Sequence, residues 1–422
     1  MKHAYLLYTG YGKTKLMLDT IMGMPVRPRV LLISTKNIVE FSWQSEIDKW
    51  YPGQLSYTFI TGKVPIKDRK KLLEHPCDIL ALNTDMIKWY IENTTKKPSE
   101  LITRFNMVII DESSLFKNYS SKRFKLLKTW CSKCEHVFIL SATPTPKSIE
   151  DLWSQIYLLD GGQRLGKNIT KFRDDYAIPV PLHNGLTVYR YNQETVDYIL
   201  TLVKDIVTSI PEPPAPLFPE PIIKKVMIDP DPETAKILKQ FKEDYIIPQL
   251  NLVAFNKTEL MIKVGQIASG QMYSDKTVIN INDRKFKALE YLLAQITTPV
   301  LIIYNYVFDK EKLLQLPGAR LLDNNEAFLD WNANKIPIGV LSPFSVAHGI
   351  NLQMSDCENI IWFSPIWDTE KWQQTNARVC RRGQTRTVTI RVLFLKDTYD
   401  DYMFDLVQEK FRIQYNNLKK LQ

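Results

Sequence analysis

The chain has 422 residues, more than one hydrophobic core usually supports, so its length predicts two domains. Its composition, 45% hydrophobic and 24% charged residues, is typical of a globular protein. Its formal net charge of +9 suits a polyanionic partner without proving one. No apolar run reaches the ~18–20 residues that cross a bilayer, and the apolar core of the first ten residues is too short for a secretory signal. Five cysteines, an odd and sparse set, fit a reducing compartment without a disulfide framework, so we expect a cytoplasmic protein. Because no apolar run is long enough to cross a bilayer, we expect no membrane partner.

A glycine-containing loop follows the first predicted strand, Ala4–Tyr8, and precedes a predicted helix, Lys15–Met22. Its sequence is Thr9-Gly10-Tyr11-Gly12-Lys13-Thr14. In a phosphate loop, glycines let backbone N–H groups approach the phosphates, a lysine meets the β- and γ-phosphates and a hydroxyl binds Mg²⁺. The spacing is imperfect, because the usual pattern has its first glycine where this chain has Leu7. A glycine-rich turn without a ligand is therefore the alternative at this point.

Short apolar runs typical of buried strands alternate with helical patterns in two parts of the chain. The early series comprises Val30–Ile33, Asp78–Leu82, Met107–Ile110 and Val137–Leu140. The late series comprises Val300–Ile303, Ile338–Leu341, Ile360–Phe363 and Val388–Val392. Buried strands separated by helices indicate parallel βαβ units, so the sequence predicts an α/β fold with two parallel-sheet lobes.

Two polar motifs follow strands of the early series. Asp111-Glu112 comes directly after Met107–Ile110, at the end of a strand where α/β sheets bind ligands. An aspartate there can hold Mg²⁺ while the adjacent glutamate polarises an attacking water, although an acidic pair can also cap the next helix. Ser141-Ala142-Thr143-Pro144 follows Val137–Leu140 and can relay whether a γ-phosphate is present, although alone it is an ordinary turn.

A CxxC pattern, Cys131 and Cys134 with His136 close by, offers half of a zinc site. A structural zinc site needs four ligands, and the sequence has no second paired cluster. We therefore interpret these cysteines as two thiols on a connection from a helix to a strand.

A proline-rich segment, residues 211–221, divides the chain, because repeated prolines exclude a helix or a central strand and favour an extended form. We predict a first lobe over 1–210, this linker, and a second lobe over 222–422. Helical patterns around Gln193–Val207 and Pro232–Val264 predict protrusions between the lobes. The tail, Asp400–Leu421, is also predicted to be helical.

Two arginines, Arg378 and Arg381, lie three residues apart in the segment Gln374–Gln384, and this spacing places them on one face of a predicted helix. Arginines from a second lobe can act on the γ-phosphate of a bound nucleotide. The alternative is a solvated basic helix or a contact with a DNA backbone.

These motifs resemble, in order, those of superfamily 2 helicases and most closely their Snf2-like group, including small phage-encoded Snf2-like helicases of the same layout. The resemblance spans residues 9 to about 405. It rests on Gly10-Tyr11-Gly12-Lys13-Thr14 (motif I), Ser34-Thr35-Lys36 (motif Ia), Asp111-Glu112-Ser113-Ser114-Leu115-Phe116-Lys117-Asn118 (motif II), Ser141-Ala142-Thr143-Pro144 with Asp151-Leu152-Trp153-Ser154 (motif III), Ala347-His348-Gly349-Ile350-Asn351-Leu352-Gln353 (motif V) and Gln374–Gln384 (motif VI).

The resemblance implies two RecA-like lobes and an enzyme that uses ATP and Mg²⁺. The catalytic residues it implies are Lys13, Asp111, Glu112, Arg378 and Arg381. Nucleotide contacts would also come from Gly10, Tyr11, Gly12, Thr14, Gly349 and Gln374. Thr14 and Asp111 would bind the Mg²⁺ ion. Contacts with nucleic-acid phosphates, which do not read sequence, would come from Ser34, Thr35, Lys36, Asn83, Thr84 and Asn351. Gly349 and Asn351 would also couple the ATPase site to the DNA.

The chain departs from the family pattern in two places. Motif I begins only nine residues into the chain, so an adenine-reading segment upstream is not expected, which leaves selectivity for ATP over other nucleotides open. Ala377 and Cys380 replace the aspartate and histidine usual in motif VI. Neither change removes a group that faces a phosphate, so we expect activity to survive.

The leading interpretation is an ATP-dependent DNA helicase or translocase, expected to be a monomer that works with replication or recombination proteins. Its expected partner is duplex, forked or four-way junction DNA, on which it would drive branch migration. One alternative is a nucleotide-dependent binding module with an inactive ATPase, which the retained Lys13, Glu112 and arginines disfavour. Another is the motor of a restriction, nuclease or remodelling complex, which would need a partner subunit. The Snf2-like sequence of motifs V and VI disfavours an RNA helicase.

Overall fold

The computed structural model describes residues 1–93, 100–145, 148–181, 187–212, 216, 218–247, 250, 252–274, 277–344 and 351–422. These residues form two compact units, one containing residues 1–212 and 410–422 and the other containing the described residues of 216–344 and 351–409. Residues 410–422 therefore belong to the first unit, whereas the sequence-based division kept them with the second lobe. None of the helices in the described ranges is long and apolar enough to cross a membrane.

The first unit contains a seven-stranded parallel sheet. Its strands are β1 (Lys2–Leu7), β2 (Val30–Ser34), β3 (Tyr57–Ile60), β4 (Ile79–Asn83), β5 (Met107–Asp111), β6 (His136–Ser141) and, after an antiparallel pair β7 (Ile178–Pro181) and β8 (Thr187–Arg190), β9 (Val207–Ile210). Their order across the sheet is β3-β4-β2-β5-β6-β1-β9.

Helices connect these strands and cover both faces of the sheet. They are α1 (Lys13–Gly23), α2 (Trp43–Trp50), α3 (Ile66–Glu74), α4 (Thr84–Asn93), α5 (Lys122–Lys133), α6 (Glu150–Asp160), α7 (Ile169–Tyr176) and α8 (Gln193–Val203), with short 3₁₀ segments at Leu101–Arg104, Ser113–Phe116 and Lys204–Ile206 and a π-helical segment at Ile38–Ser42. Alternate strand residues belong to two apolar clusters: Leu31 and Ile33 pack with α4, α5 and α6, whereas Val30 and Leu32 pack with α1 and α2. The strand sequences are apolar throughout because both faces are buried.

The second unit contains a six-stranded sheet, also parallel, and two antiparallel strand pairs. The strands are β10 (Ile222–Ile228), the pair β11 (Ile246–Ile247) and β12 (Leu252–Val253), the pair β13 (Gln271–Ser274) and β14 (Thr277–Asn280), β15 (Val300–Ile303), β16 (Ala319–Leu321), β17 (Ile338–Leu341), β18 (Asn359–Trp362) and β19 (Thr389–Leu395). The order in the sheet is β10-β19-β18-β15-β17-β16. The helices are α9 (Pro232–Asp244), α10 (Lys257–Ser269), α11 (Arg284–Leu293), α12 (Val307–Leu313), α13 (Asn325–Asn332), α14 (Thr369–Asn376) and α15 (Asp400–Lys420).

The predicted fold class is confirmed: the chain has two parallel-sheet lobes with helices, and each predicted strand is present. Four sheet strands were missed, namely β3, β9, β10 and β16. Two helix predictions were too long. The helix from Gln193 ends at Val203 and is followed by β9, and the pair β11 and β12 interrupts the helical region Pro232–Val264. Residues 213–215 and 217 of the predicted linker lie outside the described residues.

The C-terminal segment completes the first unit beside β9, an edge strand. The Ser209 hydroxyl donates to the backbone carbonyl of Leu418 over 2.8 Å, and Leu418 and Leu421 are buried in the core of this unit. The Lys420 ammonium pairs with Asp197 over 2.5 Å on the surface of α8. The predicted C-terminal helix is thus present, and its last turns pack against the first lobe.

Candidate functional site in the first lobe and motif VI of the second

The carboxyl ends of the parallel strands of the first sheet meet at one edge, and the predicted site residues follow that edge. From the β4 side towards the β1 side, the strands end in Asn83, Ser34, Asp111, Ser141 and Leu7. Strand pairing aligns Ser34 with Asn83, and it places the end of β6 between the ends of β5 and β1. Motifs that are far apart in sequence are therefore neighbours at this edge.

The loop between β1 and α1, which the sequence predicts to bind phosphate, contains two glycines in the left-handed backbone region. Gly10 and Gly12 have φ angles of 79° and 84°, in the left-handed region that favours glycine. A Cβ atom added at Gly12 would meet no other atom within 4 Å, so backbone conformation rather than crowding selects glycine there. Gly12 is the residue before α1, and Lys13 and Thr14 lie in its first turn, where free N–H groups and the helix dipole favour an anion.

Lys13 lies close to the acidic pair that ends β5. Its ammonium donates to the backbone carbonyls of Leu7 and Tyr8, at 3.1 and 3.4 Å. Its charge is also among the influences that lower the pKa of Asp111. The fold therefore brings the predicted phosphate-binding lysine close enough to the predicted Mg²⁺ ligand for their charges to interact.

Asp111 is buried, and both its carboxylate and its backbone carbonyl accept a hydrogen bond from a neighbouring side chain. Burial, with a smaller contribution from the neighbouring Glu112, raises the pKa of Asp111 to about 6. The indole N–H of Trp43 opposes this effect by donating to the Asp111 carboxylate over 3.0 Å, and Trp43 is fully buried. The hydroxyl of Ser34 donates to the backbone carbonyl of Asp111 over 2.8 Å. Trp43 is a site residue that the sequence did not reveal, because a tryptophan near a motif is more often part of the core.

Glu112 occupies a strained backbone conformation, with φ 62° and ψ 59°. For a residue other than glycine this region costs about 1–2 kcal/mol, and such strain concentrates at functional sites. The strand β5 ends at Asp111, and the chain turns at Glu112 into the 3₁₀ segment Ser113–Phe116. The regular alternation of side chains along a strand therefore stops before Glu112.

A buried glutamine joins the loops that follow β5 and β6. Gln155 in α6 accepts from the Ser113 hydroxyl over 2.6 Å and donates to the backbone carbonyl of Pro144 over 2.6 Å. Its side chain is fully buried. This role was not predictable from the sequence, because a glutamine in a helical pattern is usually solvated.

Not all the residues predicted to contact nucleic acid present their side chains to solvent. Ser34 is fully buried with its hydroxyl committed to Asp111, and Asn83 is only 2% exposed. Neither side chain is presented to solvent, and the phosphate contacts of Ser34 and Asn83 stay a prediction. Lys36 and Thr84 are partly exposed beside them and remain available for such a contact, whereas the hydroxyl of Thr35 is buried.

The motif VI arginines of the second unit do not share a helix face, contrary to the prediction. Helix α14 ends at Asn376, whose side-chain carbonyl accepts from the indole of Trp362 over 3.0 Å. Arg378 and Arg381 lie in the turns that follow, and Gly383 with φ 103° continues that irregular path. The tertiary hydrogen bond at the helix end explains why periodicity alone was misleading.

The same turns bring motif VI to motif V. The guanidinium of Arg381 donates to the Asn351 side chain, and the backbone N–H of Leu352 donates to the carbonyl of Arg378 over 3.0 Å. Arg378 is 7% exposed, and Gln374 donates to Glu370 within α14 over 3.1 Å. Gly349, predicted to couple the nucleotide site to DNA, lies outside the described residues, as do Ala347, His348 and Ile350.

The residues at the first-lobe edge suit a nucleotide with Mg²⁺. A carboxylate and a threonine hydroxyl are the hard oxygen ligands that Mg²⁺ prefers, and the open space at Gly12 in front of α1 suits a phosphate chain. The CxxC thiols do not suit zinc. Burial raises the pKa of Cys134 to about 11 and raises that of Cys131 further, and no group of three potential metal-binding His, Cys, Asp or Glu residues occurs in the parts of the chain that the structure describes.

The two units are parallel-sheet lobes with helices, the fold class that the sequence predicted. The chain belongs to the SNF2-related domain family, whose match covers residues 8–281. It is 28% identical to protein p41 of Acyrthosiphon pisum secondary endosymbiont phage 1, across 96% of this chain and 92% of that protein.

Longer cellular relatives are more distant. An uncharacterized ATP-dependent helicase of Mycoplasma genitalium is 22% identical over 96% of this chain, and a CHD3-type chromatin-remodeling factor of Arabidopsis thaliana is 21% identical over 89%. The chain spans only 38% and 32% of the lengths of these two proteins. The SWI2/SNF2 ATPase core of Sulfolobus solfataricus, solved with dsDNA, is similar with a TM-score of 0.41 and 18% identity, covering 98% of this chain and 88% of that one.

Proposed function

We propose that the chain is an ATP-dependent DNA translocase and helicase that moves along duplex DNA and remodels branched DNA. The observation that carries the ATPase part is the meeting of Lys13, Asp111 and Glu112 at one sheet edge, directly beside the loop with Gly10 and Gly12. Membership of the SNF2-related family supports the same assignment.

Each group has a defined role in this proposal. The backbone N–H groups of the loop and the Lys13 ammonium would hold the β- and γ-phosphates, and Thr14 with Asp111 would hold Mg²⁺. Bound Mg²⁺ would neutralise charge on the phosphate oxygens. Glu112 would orient and polarise the attacking water, while Arg378 and Arg381 would stabilise negative charge on the γ-phosphate.

The Lys13→Ala variant tests the phosphate-loop assignment. It should abolish ATP hydrolysis, because it removes the ammonium that would bind the β- and γ-phosphates, and it should leave thermal unfolding and DNA binding close to those of the unchanged protein. The Lys13 ammonium donates to the backbone carbonyls of Leu7 and Tyr8 and lies near Asp111. Lys15→Ala is the matched control, since Lys15 lies in the same helix turn and its ammonium pairs with Asp19 instead. Normal turnover by Lys13→Ala would remove the assignment.

The Arg381→Ala variant separates a catalytic arginine from a DNA-backbone contact. It should lower kcat far more than nucleotide affinity, because an arginine that acts on transition-state charge contributes roughly 10³–10⁵-fold in related systems. The exposed neighbour Arg382 provides the control variant Arg382→Ala. A loss of DNA affinity with unchanged kcat would instead make Arg381 a backbone contact.

The substrate proposal rests on energy balance. Branch migration replaces each base pair broken ahead with one formed behind, whereas melting a plain duplex costs roughly 1.4 kcal/mol per step in lost stacking. A motor therefore needs less force on a fork or a four-way junction than on a linear duplex that it must melt. The net charge of +9 and the helicase and chromatin-remodeling relatives support DNA as the track.

Strand displacement on matched forked, four-way and linear DNA at equal salt tests this proposal. We expect faster displacement from junctions, and affinity should fall steeply with salt because phosphate contacts dominate. Equal or better unwinding of a long linear duplex would contradict branch migration. DNA-stimulated hydrolysis without displacement from any substrate would identify a pure duplex translocase, the motor of a larger remodelling or nuclease complex.

A further inference from the structure

An aromatic side chain faces solvent next to the predicted nucleic-acid contacts of the first lobe. It is Phe41, 54% exposed, in the π-helical segment Ile38–Ser42 between β2 and α2. A π turn accommodates one residue more than an α turn, and such turns are frequent at functional sites. Val39 before it and Trp43 after it are both fully buried, and Trp43 is fixed to Asp111. The wide turn therefore directs the Phe41 side chain to solvent, while the buried residues on either side of it hold the segment in place.

A lysine from the loop after β3 lies against this ring. The Lys63 ammonium is 5.9 Å from the centroid of the Phe41 ring, and the Lys63 side chain is 66% exposed. Glu40, almost fully buried, pairs with Lys63 over 3.2 Å and accepts from the Thr61 hydroxyl over 2.6 Å. The buried Arg69 donates to two backbone carbonyls of the same loop at 2.8 and 3.0 Å. We call Phe41 and Lys63 together the Phe41–Lys63 platform.

The platform stands at the same sheet edge as the proposed DNA contacts. Phe41 follows the carboxyl end of β2, Lys63 follows that of β3, and β4 lies between these two strands. The partly exposed Lys36 and Thr84 follow the ends of β2 and β4 and are therefore its neighbours along the edge. The nucleotide-binding loop follows β1, further along the same edge.

We propose that the Phe41–Lys63 platform binds an unpaired nucleotide of DNA, with the base stacked on the Phe41 ring and its phosphate near the Lys63 ammonium. This inference rests on the proposed function and specifies its substrate: DNA with exposed bases at a fork or junction binds more tightly than an uninterrupted duplex. Aromatic side chains stack on any base, so this contact recognises the absence of pairing and not the sequence.

The chemistry of the platform favours a nucleotide over a protein partner. An apolar protein surface that covered Phe41 would also take the exposed ammonium of the Lys63–Glu40 ion pair out of water, and the desolvation cost of a buried ion pair can exceed its Coulombic gain. An unpaired nucleotide supplies both an apolar face and a negative charge at adjacent positions. In an uninterrupted duplex the base faces are stacked on one another and unavailable to Phe41.

The test compares binding of the full chain to two DNA molecules that share one duplex, one blunt and one with single-stranded fork arms. Phe41→Ala should weaken binding to the forked DNA by roughly 5- to 100-fold and change binding to the blunt duplex by less than about twofold. Phe41→Trp should restore binding to the fork. Tyr198→Ala is the control, because Tyr198 in α8 is 55% exposed and lies on a different part of the first unit. Lys63→Gln should reduce the slope of log affinity against log salt by about 0.7 on the fork, the value for one lost phosphate contact with a single strand.

The outcomes separate this inference from the proposed function. DNA-stimulated ATP hydrolysis by the unchanged protein, with a Phe41→Ala variant that binds both DNA molecules normally, would overturn the platform and leave the motor assignment standing. Equal weakening on both DNA molecules would also overturn it, because Phe41 would then contact the duplex. An unchanged protein that binds no DNA would overturn both proposals.

Discussion

Replacing Trp43 with phenylalanine removes one hydrogen-bond donor from the centre of the proposed ATPase site and keeps the aromatic ring that fills the core. The indole N–H of Trp43 donates to the buried Asp111 carboxylate at 3.0 Å, and a backbone hydrogen bond from Glu112 has a smaller effect on the same carboxylate. In the Trp43→Phe variant the carboxylate loses its side-chain donor and gains freedom to rotate. A hydrogen bond to a charged group contributes about 1.5–3 kcal/mol, which corresponds to a roughly 10- to 100-fold change in an equilibrium or rate.

We expect Trp43→Phe to lower kcat/KM for ATP within that range and to raise the Mg²⁺ concentration needed for half-maximal hydrolysis. Steady-state hydrolysis measured over a series of Mg²⁺ concentrations provides both values, and thermal unfolding shows whether the fold is retained. Trp89→Phe is the matched control: the indole N–H of Trp89 is buried and has no hydrogen-bond partner among the residues that the structure describes. Equal effects of the two variants, or no effect of Trp43→Phe, would refute the view that Trp43 orients Asp111.

Three further predictions concern buried polar groups. Gln155→Leu leaves the Ser113 hydroxyl and the Pro144 carbonyl without their buried partner, so both kcat and thermal stability should fall. Unchanged kcat would show that the hydrogen bonds of Gln155 to the loops after β5 and β6 do not affect hydrolysis. Burial raises the pKa of Asp309 to about 6, so the folded protein holds a proton that the unfolded chain releases between about pH 4 and 6, and stability falls as pH rises through that window. Asp309→Asn should therefore gain up to about 3 kcal/mol over the unchanged protein between pH 4 and 8, measured by unfolding at each pH. Lys285→Met should cost about 3–5 kcal/mol by leaving Asp400 buried and unpaired, and adding Asp400→Leu should recover most of it.

The sequence predicted the central strands because each is buried on both faces and is therefore a continuous apolar run. It missed β3 and β9, which lie at the two edges of the first sheet and have short, mixed sequences such as Val-Thr-Ser-Ile in β9. An edge strand has one neighbour and needs fewer apolar side chains. Such a pattern cannot be distinguished from the end of a helix, and this explains why the helix from Gln193 was predicted to continue to Val207.

The candidate site was predictable where a motif fixes both residue type and local backbone, as in the loop that precedes α1 and in Asp111-Glu112. It was not predictable where a long-range hydrogen bond decides the outcome. The bond between Trp362 and Asn376 ends α14 before the motif VI arginines, and the burial of Ser34 under Asp111 removes a hydroxyl from solvent. Gln155 belongs to the same class, because its partners come from two other loops.

The last residues of the chain pack into the unit that contains the first, and this affects the order of events during synthesis. A ribosome releases the seven strands of the first sheet long before it makes Leu418 and Leu421, whose side chains fill part of that unit's core. Until these residues are made, the apolar surface beside β9 that they cover is exposed to solvent. It stays exposed while the second lobe is translated. Residues 410–422 can therefore complete the first unit only after residues 215–409 have been translated.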